Sequence, residues 1–301
     1  MSDRKLRSVP EFPDNPKRIE DVADWLELNA LLSDDHNASA GDIERELDRL
    51  NVSDRESVIG NIFLEIDRRQ QATGEHAYPF ARDVTSIEVT ANKTDFPTYF
   101  FCLALSYFGW KPRKKAPHNP WLLFEDISGY CAANYIDGSV MVFGTSTRSG
   151  RAAKNIFSTK INDLAARLGE GEGFRPQRTF SSKDSKVDLV AWKPFADKRS
   201  SQLILFGQCA AGANWHGDKL SSLDPDVFWQ QWMKKSQISA FFRSVFIPHR
   251  LFDDEEWEFR ARPAKLLFDR CRVVNHAHPR IPADLKKRLL SCCRTEWKLP
   301  L

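Results

Sequence analysis

The sequence predicts an α/β protein, with a helical N-terminal module over residues 1–115 and a mixed-sheet domain with flanking helices over residues 116–301. Three observations carry this. Apolar residues recur at helical spacing through the first third, short β-rich runs take over at residues 186–192, 202–209 and 238–249, and amphipathic segments lie on either side of those runs. With 301 residues, 42% hydrophobic and 28% charged, the chain can bury a sizeable core and is neither disordered nor fibrous in composition. Its 44 basic and 41 acidic residues leave a net charge of +3, so overall charge selects no class of partner and local clusters must decide.

Within the N-terminal module, "RIEDVADWLELNALLS" offers Ile19, Val22, Trp25, Leu26 and Leu28 as one buried side. "SAGDIERELDRL" opens with Ser39 and has Asp42 three residues on, a capping-box spacing, and "SDRESVIGNIFLEIDRRQQ" repeats it with Ser53 and Glu56. In that last helix Val58, Ile59, Ile62, Phe63 and Ile66 form an apolar stripe, which assigns Arg68, Arg69 and the acids to the solvated face. "TDFPTYFFCLALSYFG" reads as a buried helix capped by Thr94 or Asp95, with Pro97 in its first turn and Gly109 closing it. The polar stretch "KPRKKAPHNP" that follows is the densest basic patch, either a solvated linker or a phosphate contact.

In the second part, "PWLLFEDISGYCAANYIDG" has mixed helical character. "SGRAAKNIFSTKINDLAARLGEGEGF" gives a helix on Ile156, Ile161, Leu164, Ala165 and Leu168, ended by Gly169 and Gly171, with Glu170 and Glu172 at its C-terminal edge. "KVDLVAW" and "QLILFGQC" form a hairpin with a long polar loop, and "ISAFFRSVFIPH" is a third strand after the Trp-rich "DVFWQQWMKK". "AKLLFDRCRVVNH" supplies Leu266, Leu267, Val273 and Val274 to a core, and "PADLKKRLLSCCRTEW" is a closing amphipathic helix.

Six cysteines without a CxxC pair read as reduced, buried thiols of a cytoplasmic protein, with a zinc site as the alternative. The N-terminus has no apolar signal core, and the most apolar run, residues 96–110, is too short to span a bilayer, so no membrane association is expected. The motifs GxxxxGK[ST], GxGxxG after a strand, HExxH and GxSxG are all missing from the sequence.

The chemistry-bearing pair is Asp188 in the first strand of the hairpin and Gln208 in the second. A carboxylate in apolar surroundings is costly unless something pairs with it. Facing positions on paired strands lie about 5 Å apart, close enough for both to reach one hard cation. Mg²⁺ asks for oxygen ligands at about 2.0–2.1 Å and takes only one or two protein carboxylates. The alternative for Asp188 is a strand-edge acid satisfied by backbone N–H groups, and for Gln208 a core amide bonded to loops.

An acid on one strand, followed by an acid or amide that opens the pattern (D/E/Q)-x-K on the next, resembles the PD-(D/E)XK nuclease superfamily. The "QC" form is similar to its Mrr-like restriction endonucleases, and "GQCAAGANW" is similar to restriction-endonuclease-like proteins of bacterial antiviral defence. The resemblance covers residues 150–275 and implies a restriction-endonuclease-like core, with Mg²⁺ or Mn²⁺ as cofactor and DNA as substrate. It implies that Asp188, Gln208 and the helix acid Glu170 hold the metal, with Glu172 as neighbour. The departure is Ala210, where the family has lysine. Lys219, or Lys186 two residues before Asp188 on the same strand face, would then supply the ammonium. His216 beside Trp215, and Arg250 after the third strand, would meet nucleic acid or simply pack and solvate. Asp269, Arg270 and Arg272 read as a salt-bridged core edge. The tryptophans at 215, 229, 232 and 257 suggest an aromatic surface near the site. Two other functions stay open: a degenerate nuclease-fold subunit that binds DNA or scaffolds, and a helical module that docks an ATPase or helicase.

Overall fold

A computed structural model describes residues 10–301 apart from positions 75, 91, 114, 145–149, 177–185 and 213, so Lys114 of the basic stretch lies outside the described residues. The fold is mixed α/β, in two compact units that interleave along the chain. Unit 1 takes Met1–Pro120, Pro248–Trp257 and Asp269–Leu301; unit 2 takes Trp121–Ile247 and Glu258–Phe268. The sequence divides once, near residue 115, whereas the contacts return residues 248–257 and 269–301 to the N-terminal helices.

Unit 1 holds α1 (Ile19–Leu32), α2 (Ala40–Arg49), α3 (Arg55–Thr73), α4 (Pro97–Phe108), α9 (Arg270–Ala277) and α10 (Ala283–Glu296). The capping box of α2 forms, with the Ser39 N–H donating to Asp42 at 2.7 Å. The second expected box does not: α3 starts one residue later with Asp54 at the cap and no side-chain bond. Phe96 rather than Thr94 or Asp95 caps α4, because those two belong to a single 3-10 turn, Lys93–Asp95. A small antiparallel sheet escapes the sequence reading, with β1 (Asn37–Ser39), β2 (Phe80–Arg82) and β3 (Ser86–Val89) in the order β1-β3-β2. Strands of three or four residues are too short to show a period.

The larger departure is Arg69. It is fully buried rather than solvated, and its guanidinium meets Asp24 (2.8 Å), Glu27 (2.9 Å) and Glu65 (2.7 Å). Arg270, also fully buried, grips both oxygens of Asp24 at 2.7 Å. Arg250 forks onto Glu65 at 3.0 and 3.2 Å and pairs with Asp269. Tyr78 and Tyr99 each donate a hydroxyl to Glu27 at 2.8 Å. Burial alone would raise Asp24, but Arg270 and Arg69 hold it below its ordinary value. For Glu27 burial outweighs the same two cations, and its carboxyl is raised. The salt-bridged reading of Asp269 and Arg270 holds.

Unit 2 is built on a five-stranded sheet, β4 (Ser139–Val142), β5 (Leu189–Lys193), β6 (Leu203–Cys209), β7 (Ala240–Phe246) and β8 (Leu266–Phe268), in that order. The first three are antiparallel, and β6, β7 and β8 run parallel. A parallel neighbour needs a crossover, and α7 (Pro225–Trp232) provides it between β6 and β7. Together with α6 (Gly150–Leu168), α7 covers one face: Ile161, Leu164, Phe228, Trp229 and Trp232 pack on Val190, Trp192, Ile204 and Phe206. The tryptophans expected at a binding surface are thus mostly core: 229 and 232 are fully buried and 215 nearly so. Gly169, at φ +70°, closes α6 as its sequence indicates. α5 (Pro120–Tyr135) approaches β4 through Gly129, and α8 (Asp254–Ala264) passes from one unit to the other.

Three stability outcomes follow. Replacing Arg270 by Met leaves Asp24 as an underpaired buried charge and costs about 3–5 kcal/mol in urea unfolding. Arg45→Met, on the exposed side of α2, costs less than about 1 kcal/mol. Gly207→Ala would bring a Cβ to 2.6 Å from Leu189 Cδ1 and 2.9 Å from Phe246 Cε2, so it costs about 1–3 kcal/mol by the same measurement.

Candidate functional site

The β5–β6 ladder ends on Asp188 and Gln208. Asp188 is the residue just before β5; its N–H donates to the Gly207 carbonyl (2.9 Å) and its carbonyl accepts from Phe143 N–H (2.7 Å). Its Oδ2 accepts the Cys209 N–H at 2.7 Å. Asp188 therefore bonds both residues that flank Gln208. The Gln208 Oε1 accepts from the Ser222 hydroxyl at 3.1 Å. Lys219, in the single 3-10 turn Asp218–Leu220, acts electrostatically on the Asp188 carboxylate. The structure thus brings Asp188, Gln208 and Lys219 together around the 219–222 segment. Burial pushes the Asp188 carboxyl up to about 6, against the opposing pull of the Cys209 N–H and Lys219.

Other candidates stand elsewhere. Glu170 Oε2 accepts the Ile238 and Ser239 N–H groups at 3.2 and 3.3 Å. Those residues precede Ala240, which pairs with Leu203 at the far end of β6. Leu203 lies five residues along β6 from Gln208, about 17 Å away, so Glu170 does not join Asp188 and Gln208 in one ligand set. It serves instead to cap the start of β7, while Glu172 pairs with Lys235. Lys186 has φ +49°, so the extended alternation that would align it with Asp188 stops before reaching it. His216 is exposed, with its ring edge-on to Trp215. Arg250 is corrected outright: its guanidinium is buried against Glu65 and Asp269 in unit 1 and is not presented to a phosphate. Ala210 is fully buried with its N–H on Phe246 O (2.9 Å), so the position of the family lysine faces packing rather than the site.

Two residues the sequence reading passed over belong to this neighbourhood. Lys160 of α6 donates to the carbonyls of Val142 (3.3 Å) and Phe143, the latter being the residue bonded to Asp188. Burial lowers its ammonium pKa while Glu125 of α5 acts to raise it. Glu125 is itself buried. The Cys209 thiol is raised well above its ordinary value by burial first, then by Asp188 and Glu125. Two acids, one ammonium and the end of β6 thus interact electrostatically. A signal was available in "LLFEDIS", where Glu125 falls on the same helical side as Ser128, another buried polar residue.

No family model, curated protein or solved structure matches the chain. Among the described residues no three His, Cys, Asp or Glu side chains cluster as a metal cage, and no helix is long and apolar enough to cross a membrane. Mg²⁺ needs no such cage, since one or two carboxylates with water suffice. The Asp188 carboxylate and the Gln208 amide oxygen are hard donors of the required kind.

The raised Asp188 carboxyl has a measurable consequence. The folded chain holds this proton more tightly than the unfolded one, so its stabilising contribution is complete below the ordinary value of 3.8 and is lost as pH rises through about 6. Asp188→Asn keeps an oxygen for the Cys209 N–H and removes that loss. Urea midpoints should show the variant gaining about 1–2 kcal/mol over the wild type between about pH 4 and pH 8. A difference that stays constant with pH would refute the raised carboxyl.

Proposed function

We propose that unit 2 is a metal-dependent DNA endonuclease, hydrolysing phosphodiester bonds as an effector of a bacterial restriction or anti-phage defence system. The observation that carries this reading is the end of the β5–β6 hairpin, where Asp188 bonds both neighbours of Gln208, Gln208 accepts from Ser222, and Lys219 acts electrostatically on Asp188. In this reading Asp188 and Gln208 hold Mg²⁺ or Mn²⁺ through oxygen. When bound, the ion supplies Lewis-acid polarisation of a phosphoryl oxygen. Burial raises the Asp188 carboxyl to about 6, so it would have to be ionised to hold the ion. Lys219 is exposed and offers its ammonium to charge that builds on the phosphate. Lys160, held on the carbonyls that neighbour Asp188, fixes the end of β4 against the site.

Ala210 favours a second reading, in which the fold has lost chemistry and serves as a DNA-binding or scaffolding subunit for an ATPase or helicase partner. One experiment separates the two. Supercoiled and linear DNA are incubated with the full chain and Mg²⁺ or Mn²⁺, beside Asp188→Ala and Lys219→Ala. The nuclease reading expects cleavage that chelation stops, and Asp188→Ala at background. Lys219→Ala should be slower by about 100-fold with DNA affinity nearly unchanged. DNA binding that ignores both metal and Asp188→Ala, without cleavage, selects the second reading.

A further inference from the structure

We infer that unit 1 carries a separate binding surface for the phosphate backbone of nucleic acid, formed by residues 111–113 and 115–118 and the exposed face of α10. It rests on the proposed function only for the choice of DNA as the polyanion, and it uses none of the residues around Asp188.

The stretch is anchored rather than loose. Trp110 Nε1 donates to Glu296 at 2.9 Å, Arg113 pairs with the same carboxylate, and His118 Nε2 meets the Ser291 hydroxyl at 2.8 Å. Trp297 Nε1 donates to the Gly109 carbonyl at 3.0 Å, fixing the start of the stretch against the end of α10. Trp110 and Arg113 are therefore held at the Glu296 end of the helix and His118 at Ser291. Helical spacing sets Lys287 and Arg288 one turn before Ser291 and Arg294 one turn after it. All three are exposed, as are Lys111, Arg113 and Lys115. Leu285, Leu289, Cys292 and Cys293 take the buried side.

The charge is one-sided. No acid occurs between Asp95 and Glu125. Along the C-terminal part of α10 the acid is Glu296, whose side chain is 1% exposed and already paired by Arg113. Asp284, in the first turn of α10 and one turn before Lys287 and Arg288, is the other acid of the helix, so the excess is three basic residues to one acid over residues 284–288. In a chain with a net charge of only +3, this concentrates cations on one face. Exposed ammonium and guanidinium groups on one side of the unit suit the densely charged backbone of a duplex. Each phosphate neutralised releases counterions, which gives such binding its salt dependence.

The test uses the full chain in EDTA, with a fluorescein-labelled DNA duplex of about 30 base pairs, by anisotropy between about 50 and 200 mM NaCl. Lys111→Glu, Lys115→Glu and Lys287→Glu are combined in one variant, with a Lys→Gln version of the same three in case the reversal impairs folding. The reversal should weaken binding at least about tenfold and make the slope of log K against log salt shallower by about two to three. The Lys→Gln version should shift both in the same direction by less. Affinity and slope unchanged in a folded variant would overturn the inference. So would binding to phosphatidylserine vesicles, lost on reversal, with no binding to the duplex. Cleavage plays no part in this readout. A chain that binds through this surface but never cuts defeats the nuclease reading alone, and a chain that cuts while ignoring the reversal defeats this one alone.

Discussion

The architecture of unit 1 depends on keeping three buried guanidinium groups paired. An ion withdrawn from water carries a desolvation penalty of several kcal/mol, offset only when opposite charge and hydrogen bonds surround it. Arg69, Arg250 and Arg270 find those partners on α1, on α3 and at the start of α9. None of these elements can leave without stranding a charge. The polypeptide must therefore come back to its N-terminal helices after residue 247 and again after residue 268. The interleaving of the two units meets that electrostatic requirement and also buries the apolar sides of α9 and α10.

At the end of the second sheet the same physics is applied less completely. Among the described residues Asp188 accepts the Cys209 N–H through Oδ2, and Lys219 acts on it electrostatically while burial lifts its carboxyl. The acids of unit 1, by contrast, are closed off by arginines. That contrast within one chain is the physical ground for proposing chemistry at the end of the β5–β6 hairpin rather than in unit 1.

Much of the fold is legible in the sequence because its signals are local. Helical spacing, the Ser39–Asp42 cap, Gly169 and the β-rich runs around Asp188 and Gln208 all depend on near neighbours, and each sets an element found in place. The adjacency of Asp188 and Gln208 is legible for the same reason, since a hairpin is the shortest way to join two strands. What is not legible depends on partners far along the chain. Arg69 and Arg250 look like surface cations until Glu65, Asp24 and Asp269 are folded around them. Glu170 looks like a ligand at a helix end until Ile238 and Ser239 claim it. Lys160 and Glu125 enter the neighbourhood from helices whose amphipathic patterns say nothing of which strand end they reach.

The close packing around residue 210 bears on anyone wishing to re-engineer this chain. Inserting the expected amine there would not rebuild a motif. It would drive three further carbons and a charge into the buried surroundings of Ala210, with the main-chain amide already tied to Phe246. Such an amine would shed its proton or force the sheet apart. Any gain of function has to come through groups already at the rim, so a design effort belongs on the loop after β6 rather than on the strand itself.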